Sequence, residues 1–271
     1  FFFQAEDGIR DLVRSRGLVD VYKRQERIQA VANLIEQSVK DGKEDVAVVS
    51  AMAGETQRLI DLAKEVQSEP DPREYDALIS SGEQVSVALL AMALKQKNYL
   101  SKSYTAFQLG LKTDQIHGKA RINSIDTGML QEDLKKGVVP VITGFQGINE
   151  SGDITTLGRG GSDTSAVALA VALKAYECQI YTDVDGVYTT DPRVYDRAKK
   201  IDKLSFEEML ELSSLGAKVL QIRSVEFASK FNMPIRVLSS FNKGEGTLID
   251  KEDENLEEAL ISGVTLSLIH I

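Results

Sequence analysis

A glycine-rich turn that carries one arginine and one aspartate is the most distinctive chemical feature of the sequence. Residues 155–164 are Thr-Thr-Leu-Gly-Arg-Gly-Gly-Ser-Asp-Thr, and a predicted helix rich in Ala and Val follows at once. Glycines let backbone N–H groups approach an anion closely, and a helix N-terminus adds a positive dipole. Arg159 offers a forked cation for a carboxylate, and Asp163 could pair with an ammonium group. The combination predicts a receptor for a small zwitterion beside a phosphate.

The same turn also fits a purely structural role. A tight strand-to-helix turn capped by Ser162 or Asp163 would use the same residue types. Spacing alone therefore does not decide between a binding loop and a capped helix start.

A second segment, residues 181–193, combines an aromatic ring, several acids and a cation. It starts on a predicted strand and turns at Asp185 and Gly186. Tyr188 offers a flat face and Arg193 a cation, which together fit a nucleotide pocket. A hairpin with an Asp-Gly turn and solvent-facing acids is the competing interpretation, and composition alone favours it.

Two shorter motifs lie at the ends of predicted elements. Residues 50–56, Ser-Ala-Met-Ala-Gly-Glu-Thr, follow a buried strand, and ligands bind at the carboxyl ends of parallel strands. Residues 80–83, Ser-Ser-Gly-Glu, lie near a helix, where an acid is by default a solvated surface charge.

Alternating helix and strand patterns must position these motifs. Hydrophobic periodicity predicts helices over 28–39, 73–96 and 165–174, and two helices broken near Gly216 over 205–231. Strands are predicted at 46–50, 138–142, 178–182, 234–239 and 247–249. Pro140 indicates an edge strand or a local break in pairing. The alternation predicts a mostly parallel sheet covered by helices.

Composition narrows the partners and the compartment. The 271 residues are 42% apolar, enough for one large α/β domain or two small ones. The net charge of -9 argues against nucleic acid as a partner. No continuous apolar run approaches the roughly 20 residues of a membrane span. The single cysteine, Cys178, excludes an intrachain disulfide and is expected in the core, so a cytoplasmic location is predicted.

Taken together, the motifs resemble those of one enzyme family. SAMAGET, SSGEQ, GFQG, TTLGRGGSDTSAVALA, YTDVDGVYTTDPR, FEEMLELSSLGAKVLQIRSVEFA and GTLI occur in this order. The order resembles the catalytic domain of the lysine-sensitive bacterial aspartokinases, from roughly Glu26 to Gly263. The resemblance implies the amino acid kinase fold, a three-layer α/β/α sandwich around a mainly parallel, eight-stranded sheet. It also implies phosphorylation of the L-aspartate side chain by ATP to 4-phospho-L-aspartate, the first step of lysine, threonine and methionine biosynthesis.

The resemblance assigns roles to individual residues. It implies that Arg159 binds a substrate carboxylate, that Glu83 helps to hold aspartate and that Asp163 faces the substrate amino group. Further substrate contacts are expected from Thr56, Gly160, Gly161 and Ser162. Nucleotide contacts are expected from Ser50, Thr182, Asp183, Tyr188, Thr189, Thr190, Asp191, Pro192, Arg193, Lys218 and Val219. The expected catalytic residues are Arg159, Asp163 and Lys218, with ATP and Mg²⁺ as cofactors and no side chain assigned as a metal ligand.

Both ends of the chain depart from the family pattern. Residues 1–25 and 264–271 resemble translated sequencing-adapter sequence, which leaves 26–263 as the catalytic domain; a natural N-terminal extension is the alternative. The family opens with a strand carrying Lys-Phe-Gly-Gly-Thr-Ser, whose lysine contacts the phosphates. Lys23 does not replace that lysine, because no Gly-Gly follows it. We therefore expect little or no kinase activity from this chain.

The family continues into paired ACT domains, which these residues do not include, and the full-length protein is expected to form a homo- or hetero-oligomer. Two other functions remain open. A sibling enzyme on the same fold could act on glutamate, N-acetylglutamate, carbamate or a uridine nucleotide. A non-catalytic regulatory subunit could keep the pocket without turnover.

Overall fold

Helices and short strands alternate along the chain, as the sequence pattern predicts. A computed structural model describes residues 2–3, 18–192, 194–214 and 219–252. Its helices are α1 (Leu18–Lys40), α2 (Glu55–Val66), α3 (Pro72–Ile79), α4 (Ser81–Gln96), α5 (Gly128–Lys135), α6 (Gly161–Leu173), α7 (Phe206–Ser214) and α8 (Ile222–Phe231). Its strands are β1 (Phe2–Phe3), β2 (Val46–Val49), β3 (Ser101–Tyr104), β4 (Lys112–Thr113), β5 (Ile122–Ser124), β6 (Val139–Thr143), β7 (Gln146–Ile148), β8 (Ile154–Thr156), β9 (Cys178–Thr182), β10 (Val187–Tyr188), β11 (Lys200–Ile201), β12 (Lys203–Ser205), β13 (Ile235–Ser239) and β14 (Thr247–Asp250).

Mainly parallel pairing organises the longer strands into two four-stranded sheets. The first has the order β1-β2-β6-β3 and is parallel throughout. The second has the order β12-β14-β13-β9, in which only β13 and β14 are antiparallel. The two sheets approach each other where β1 lies near β9. These features confirm the predicted α/β class. The described strands do not form one eight-stranded sheet, because β5-β4-β7-β8 and the pair β10-β11 make two further hydrogen-bonded sheets.

Apolar side chains bury both faces of these sheets. One cluster includes Ile35 of α1 and Leu94 of α4 and packs against the first sheet. A larger cluster includes Leu169 of α6 and Ile180 of β9 and packs with the second sheet. Cys178 belongs to the larger cluster and is completely buried, which confirms its predicted place in the core. Continuous apolar strands are typical of parallel sheets covered on both faces.

Strand β6 lies in the middle of its sheet, so the predicted edge position of Pro140 is wrong. Val139 donates its N–H to Leu100 on the β3 side, and the next residue's N–H would point towards β2. Pairing with β2 begins only at Val141, which lies opposite Ala47. The missing N–H of proline therefore falls where β2 is not yet paired. On the β3 side the register runs from Val139 to Ile142 without interruption, so the alternative prediction of a local break in pairing is not confirmed there.

The helix predicted over 73–96 is interrupted at Ser80. Helix α3 ends at Ile79, and α4 begins at Ser81. The carbonyl of Ser80 accepts a hydrogen bond from the Nε2 atom of Gln146, at 3.0 Å. A side chain that enters the backbone ladder of a helix is a known cause of kinks. The contact places the start of α4 beside β7.

Residues 72–96 are also long and apolar enough to cross a membrane, which the sequence analysis did not predict. More than half of that apolar stretch is buried inside the protein. Its two buried acids, Asp76 and Glu83, lie in the interior of the fold. Core helices pass the same test of length and composition, so the stretch is weak evidence for membrane insertion.

Helices α1, α7 and α8 correspond to the two other predicted helical regions, 28–39 and 205–231. Helix α1 begins at Leu18, within the segment predicted to be non-native, and the origin of residues 1–25 stays a prediction. The region 205–231 forms two helices, α7 and α8, as predicted. The break itself was predicted near Gly216, which lies outside the described residues.

Candidate active site

The carboxyl ends of β2 and β6 bring three predicted motifs together. Gly144 donates its N–H to Val49 O at 3.0 Å, which ties the turn after β6 to the end of β2. Ala51 donates its N–H to Glu83 Oε1 at 3.2 Å, which ties residues 50–56 to the start of α4. A Cβ atom on Gly144 would lie 2.7 Å from Ser162 Oγ, so the start of α6 packs against the same turn. The motifs therefore share one edge of the sheet, where parallel strands place ligand sites.

Replacing Gly144 by alanine tests this packing. The new Cβ would lie within 3.0 Å of three atoms of Ser162, including its Cα, so the backbone must move. Overpacking of this kind costs about 1–3 kcal/mol, and a domain of this size loses about 2–4 °C of thermal midpoint per kcal/mol. Gly244→Ala is the control, because no atom lies within 4 Å of its Cβ position. Equal thermal midpoints for the two variants, measured by calorimetry, would contradict the contact.

Glu83 is buried, so the default interpretation of a solvated surface charge is wrong. Only 3% of the residue is exposed. It lies in the first turn of α4, where the helix dipole favours a carboxylate. A carboxylate in a site of low dielectric pairs strongly with a cation such as the ammonium group of an amino acid.

Arg159 lies directly before the N-terminus of α6. The helix begins at Gly161, four residues earlier than predicted, and its N-cap is Gly160. No side chain caps it, so the capping alternative for Ser162 and Asp163 is wrong. Arg159 is exposed, and within the described ranges no hydrogen bond or ion pair involves its guanidinium. That group is therefore available to a carboxylate or phosphate at the helix N-terminus.

The glycines of this turn allow close packing between protein segments. A Cβ atom on Gly158 would lie 2.8 Å from Gly118 O, and one on Gly160 would lie 1.9 Å from Gln221 Cγ. Both glycines also have positive φ angles, of 78° and 66°. The sequence pattern predicts a different role for these glycines, the close approach of an anion. The structure gives them a packing role, and the approach of an anion stays a prediction.

Asp163 is completely buried in the first turn of α6. Burial raises the pKa of the Cys178 thiol, and the negative charge of Asp163 raises it further. The contact of Asp163 with a substrate ammonium group stays a prediction.

The segment after β9 does not fold back on that strand. Strand β10 pairs with β11, and Val187 lies opposite Ile201. Gly186 packs against the Thr247 hydroxyl, which would lie 2.6 Å from a Cβ atom at that position. The hairpin alternative is therefore wrong, and the segment reaches across to other strands.

The predicted nucleotide residues form a turn at the carboxyl end of β9. Thr182 donates its hydroxyl to Asp183 Oδ1 at 3.1 Å, and its carbonyl accepts the N–H of Ser240. Tyr188 donates its hydroxyl to Asp185 Oδ1 at 2.7 Å. This hydrogen bond, followed by burial, raises the pKa of Tyr188. The ring of Tyr188 is half-buried, as expected of an aromatic face that could lie beside a base.

The remaining predicted nucleotide residues differ in their burial and in their contacts. Thr189 is bonded to Lys199 at both its N–H and its hydroxyl. Thr190 is half-buried, whereas Asp191 and Pro192 are exposed. Arg193 and Lys218 lie outside the described residues. The side chain of Val219 packs against the larger core cluster, so its nucleotide contact stays a prediction.

A cavity at the carboxyl end of β2 adjoins the motif of residues 50–56. Ser50 lines it, together with Ala51 and with Arg27 from the middle of α1. Ser86 of α4, one turn after Glu83, also lines it. Thr56 lies in the first turn of α2 and is half-buried. The predicted position of Ser50 at the edge of a binding cleft is compatible with this geometry.

Sequence analysis missed Asp76, which is completely buried in α3. Its Oδ2 atom lies 2.9 Å from His117 Nδ1 and accepts the N–H groups of Gly118 and Thr156, each at 3.0 Å. Its Oδ1 atom accepts the Thr156 hydroxyl at 2.6 Å. All of its side-chain partners lie 41 to 80 positions away in the chain, so no local sequence signal distinguishes Asp76 from a surface acid.

Arg223 is a second residue that sequence analysis missed. It lies in α8 and donates from Nη1 to Leu157 O at 2.5 Å and from Nη2 to Ala120 O at 3.0 Å. Leu157 directly precedes the glycine-rich turn. Nothing in the local sequence distinguishes Arg223 from a surface charge, because both of its acceptors are more than sixty residues away.

Comparisons with known proteins agree with these features. The sequence profile of the amino acid kinase family matches residues 19–239. An aspartate kinase of Stutzerimonas stutzeri (strain A1501) is 58% identical over 243 residues, which are 89% of this chain and 59% of that protein. The crystal structure of an aspartate kinase from Synechocystis shares 43% identity and a TM-score of 0.77, over 93% of this chain and 40% of that one. Aspartokinase III of E. coli, solved with aspartate and ADP, shares 26% identity and a TM-score of 0.76, over 94% of this chain and 65% of that one. The chain thus spans 59% of the length of the S. stutzeri relative.

Proposed function

Since the chain belongs to the amino acid kinase family, we propose that it is the catalytic part of an aspartate kinase. The proposed reaction transfers the γ-phosphoryl group of ATP to the side-chain carboxylate of L-aspartate. One observation carries the proposal: buried Glu83 accepts a hydrogen bond from Ala51 just after β2, and the start of α6, preceded by Arg159, packs on the Gly144 turn that is bonded to the end of the same strand. Aspartate has one ammonium group and two carboxylates. Glu83 offers a negative charge for the ammonium group, and Arg159 offers a positive charge for a carboxylate. The 58% identity to the S. stutzeri aspartate kinase supports the choice of substrate.

The proposed roles follow from charge. Arg159 binds a substrate carboxylate, and Glu83 and Asp163 attract the ammonium group. Further contacts come from residues at the start of α6 and α2, namely Gly160, Gly161, Ser162 and Thr56. The segment after β9 holds the nucleotide, and a nucleotide contact of Lys218 is proposed from the resemblance alone.

The chemistry requires charge neutralisation more than proton removal. A carboxylate is ionised at neutral pH, so no strong general base is needed to make it attack. The difficulty lies in bringing an anion to the polyanionic end of ATP. Arg159 and the positive end of the α6 dipole supply the potential that offsets this repulsion. The carboxylate oxygen forms a bond to the γ-phosphorus while the bond to the β–γ bridging oxygen breaks, which yields ADP and 4-phospho-L-aspartate.

The residues fit ATP with Mg²⁺ carried on its phosphates. Tyr188 and Thr182 supply an aromatic face and a hydroxyl on the nucleotide side. In the part of the chain that the structure describes, no three acidic, His or Cys side chains converge to hold a metal ion. Mg²⁺ commonly keeps several waters and binds through substrate phosphates and one or two carboxylates, so a dedicated protein cage is not required. When bound, the ion would neutralise phosphate charge.

The cellular setting follows from the same proposal. We place the enzyme in the cytoplasm, where it would act on free aspartate and ATP. The complete protein would be a homo- or hetero-oligomer, and neither nucleic acid nor a membrane would be a partner.

A coupled ADP-release assay tests the function. It compares this chain with a version in which residues 1–25 are replaced by the family strand carrying Lys-Phe-Gly-Gly-Thr-Ser. We expect aspartate-dependent turnover only in the second version, because the lysine would neutralise phosphate charge. The edge of β2 accepts a strand at this place, since Phe2 and Phe3 pair with it in parallel. Aspartate should be preferred over glutamate by about tenfold or more, the usual effect of one methylene.

The outcomes separate the alternatives. Equal, robust turnover in both versions would contradict the need for the Lys-Phe-Gly-Gly-Thr-Ser strand. Faster turnover with glutamate or N-acetylglutamate would identify a sibling enzyme. Aspartate binding without turnover in the second version would favour a non-catalytic subunit.

A further inference from the structure

We propose that Asp76 is a positioning residue that holds the turn over residues 157–161, here called the binding turn, in the geometry that aspartate requires. The inference rests on the proposed function and adds to it a residue outside the binding motifs. Asp76 lies in α3 and touches neither Arg159 nor α6 through any hydrogen bond of the described chain. Its influence on the substrate must therefore pass through the residues that it holds.

The carboxylate of Asp76 joins two segments that are remote in sequence. Thr156, the last residue of β8, donates both its N–H and its hydroxyl to it, at 3.0 and 2.6 Å. His117 and Gly118 approach from the other segment, at 2.9 and 3.0 Å. We call these four residues the Asp76 cluster. Because all four contacts converge on one completely buried carboxylate, the two segments are held in a fixed relation.

Both segments support the binding turn directly. Thr156 precedes it in the chain, and its carbonyl accepts the N–H of Ala120 at 2.9 Å. Gly118 O would lie 2.8 Å from a Cβ atom on Gly158, within the turn. Arg223 links Leu157 O to Ala120 O from α8. The Asp76 cluster therefore fixes the chain immediately before Arg159 from one side, and Arg223 fixes it from the other.

Asparagine at position 76 would disturb this arrangement without changing its size. Asparagine has one acceptor oxygen and an NH₂ group, which is a donor. One orientation of the amide sets the NH₂ group against the N–H groups of Gly118 and Thr156, and the other forces the Thr156 hydroxyl to turn and accept. In both orientations the negative charge that attracts these donors is lost. The binding turn should then relax, and Arg159 should lose its position at the N-terminus of α6.

Calorimetry on this chain tests the inference, since binding does not depend on turnover. For Asp76→Asn we expect aspartate affinity to fall about tenfold, as small misplacements of binding groups are costly. Affinity for ADP should stay within about twofold, because no hydrogen bond among the described residues joins the segment after β9 to the cluster. Thr156→Val removes only the hydroxyl and should weaken aspartate binding in the same direction. Thr156→Ser keeps the hydroxyl and should restore it.

Asp153→Asn is the matched control. Asp153 accepts a hydrogen bond from Arg73 Nε at 2.7 Å and so also links α3 to β8. It does this at the amino end of β8, away from the binding turn. The substitution should leave aspartate affinity unchanged. A loss equal to that of Asp76→Asn would overturn the inference, because any link between α3 and β8 would then suffice.

Hydrogen exchange without ligand separates this inference from the proposed function. In the native chain, Leu157 donates to Phe145 O, and Gly161 donates to Gly158 O. Faster exchange of these amides in Asp76→Asn and Thr156→Val supports positioning, even if the unaltered chain binds no aspartate and the proposed function fails. Unchanged exchange in both variants would overturn the inference. So would an equal loss of aspartate and ADP affinity in Thr156→Val, the milder variant.

Discussion

Replacing Glu83 by glutamine is expected to remove most of the affinity for aspartate while the fold is retained. Glu83 Oε1 accepts the N–H of Ala51 at 3.2 Å, and a glutamine oxygen can accept the same bond. What is lost is the negative charge of a residue that is only 3% exposed. Truncating one partner of a buried charge pair costs at least about 2 kcal/mol, so we expect a loss of about 30-fold or more in aspartate affinity by calorimetry.

Glu177→Gln is the matched control for this prediction. Glu177 is equally buried, with 5% exposure, and pairs with Arg236 Nε at 3.0 Å. It directly precedes β9, at the opposite end of that strand from the proposed nucleotide segment. Its substitution should lower the thermal midpoint but leave aspartate affinity unchanged. If both variants weakened aspartate binding equally, the effect of Glu83 would have to be attributed to general loss of buried charge.

Replacing Arg159 by glutamine should also weaken aspartate binding strongly, but without loss of stability. The guanidinium has no hydrogen bond or ion pair among the described residues, so the fold does not depend on it. A charge-assisted bond to a carboxylate contributes about 1.5–3 kcal/mol, so the expected loss of affinity is roughly 10- to 150-fold. Arg159→Lys should recover only part of it, because an ammonium group lacks the planar fork that matches a carboxylate.

The comparison for Arg159 is Arg73→Gln, which makes the same change in net charge at another exposed arginine. Arg73 is bonded to Asp153 and Glu74 at the start of α3. Surface pairs of this kind contribute little to stability, about 0–1 kcal/mol. Aspartate affinity should be unaffected. An Arg159→Gln variant that bound aspartate normally would remove the principal cation from the proposed mechanism.

Local pattern was sufficient for the fold class, for strands β2, β6, β9, β13 and β14, and for the helices other than α2 and α5, but not for the other strands. The short apolar runs at 46–50 and 138–142 contain strands β2 and β6, because strands buried on both faces are rich in apolar residues. The break between α7 and α8 and the stop of α1 before Gly42, with φ of 78°, also followed from neighbouring residues. The order of the motifs then led to the family, since each motif is continuous in sequence.

What only the tertiary structure decided depends on residues that are far apart in the chain. The kink at Ser80 is accompanied by a side chain 66 positions later, and Asp76 is buried because Thr156, 80 positions later, supplies donors for its carboxylate. A central strand tolerates Pro140, which has no N–H group, because the pairing of β6 with β2 begins one residue later, at Val141. A periodic pattern indicates which residues face the interior, but it does not indicate which residues they contact there. The sequence by itself therefore determined the layers and the candidate motifs, and the fold decided which acids are buried and what holds the binding turn.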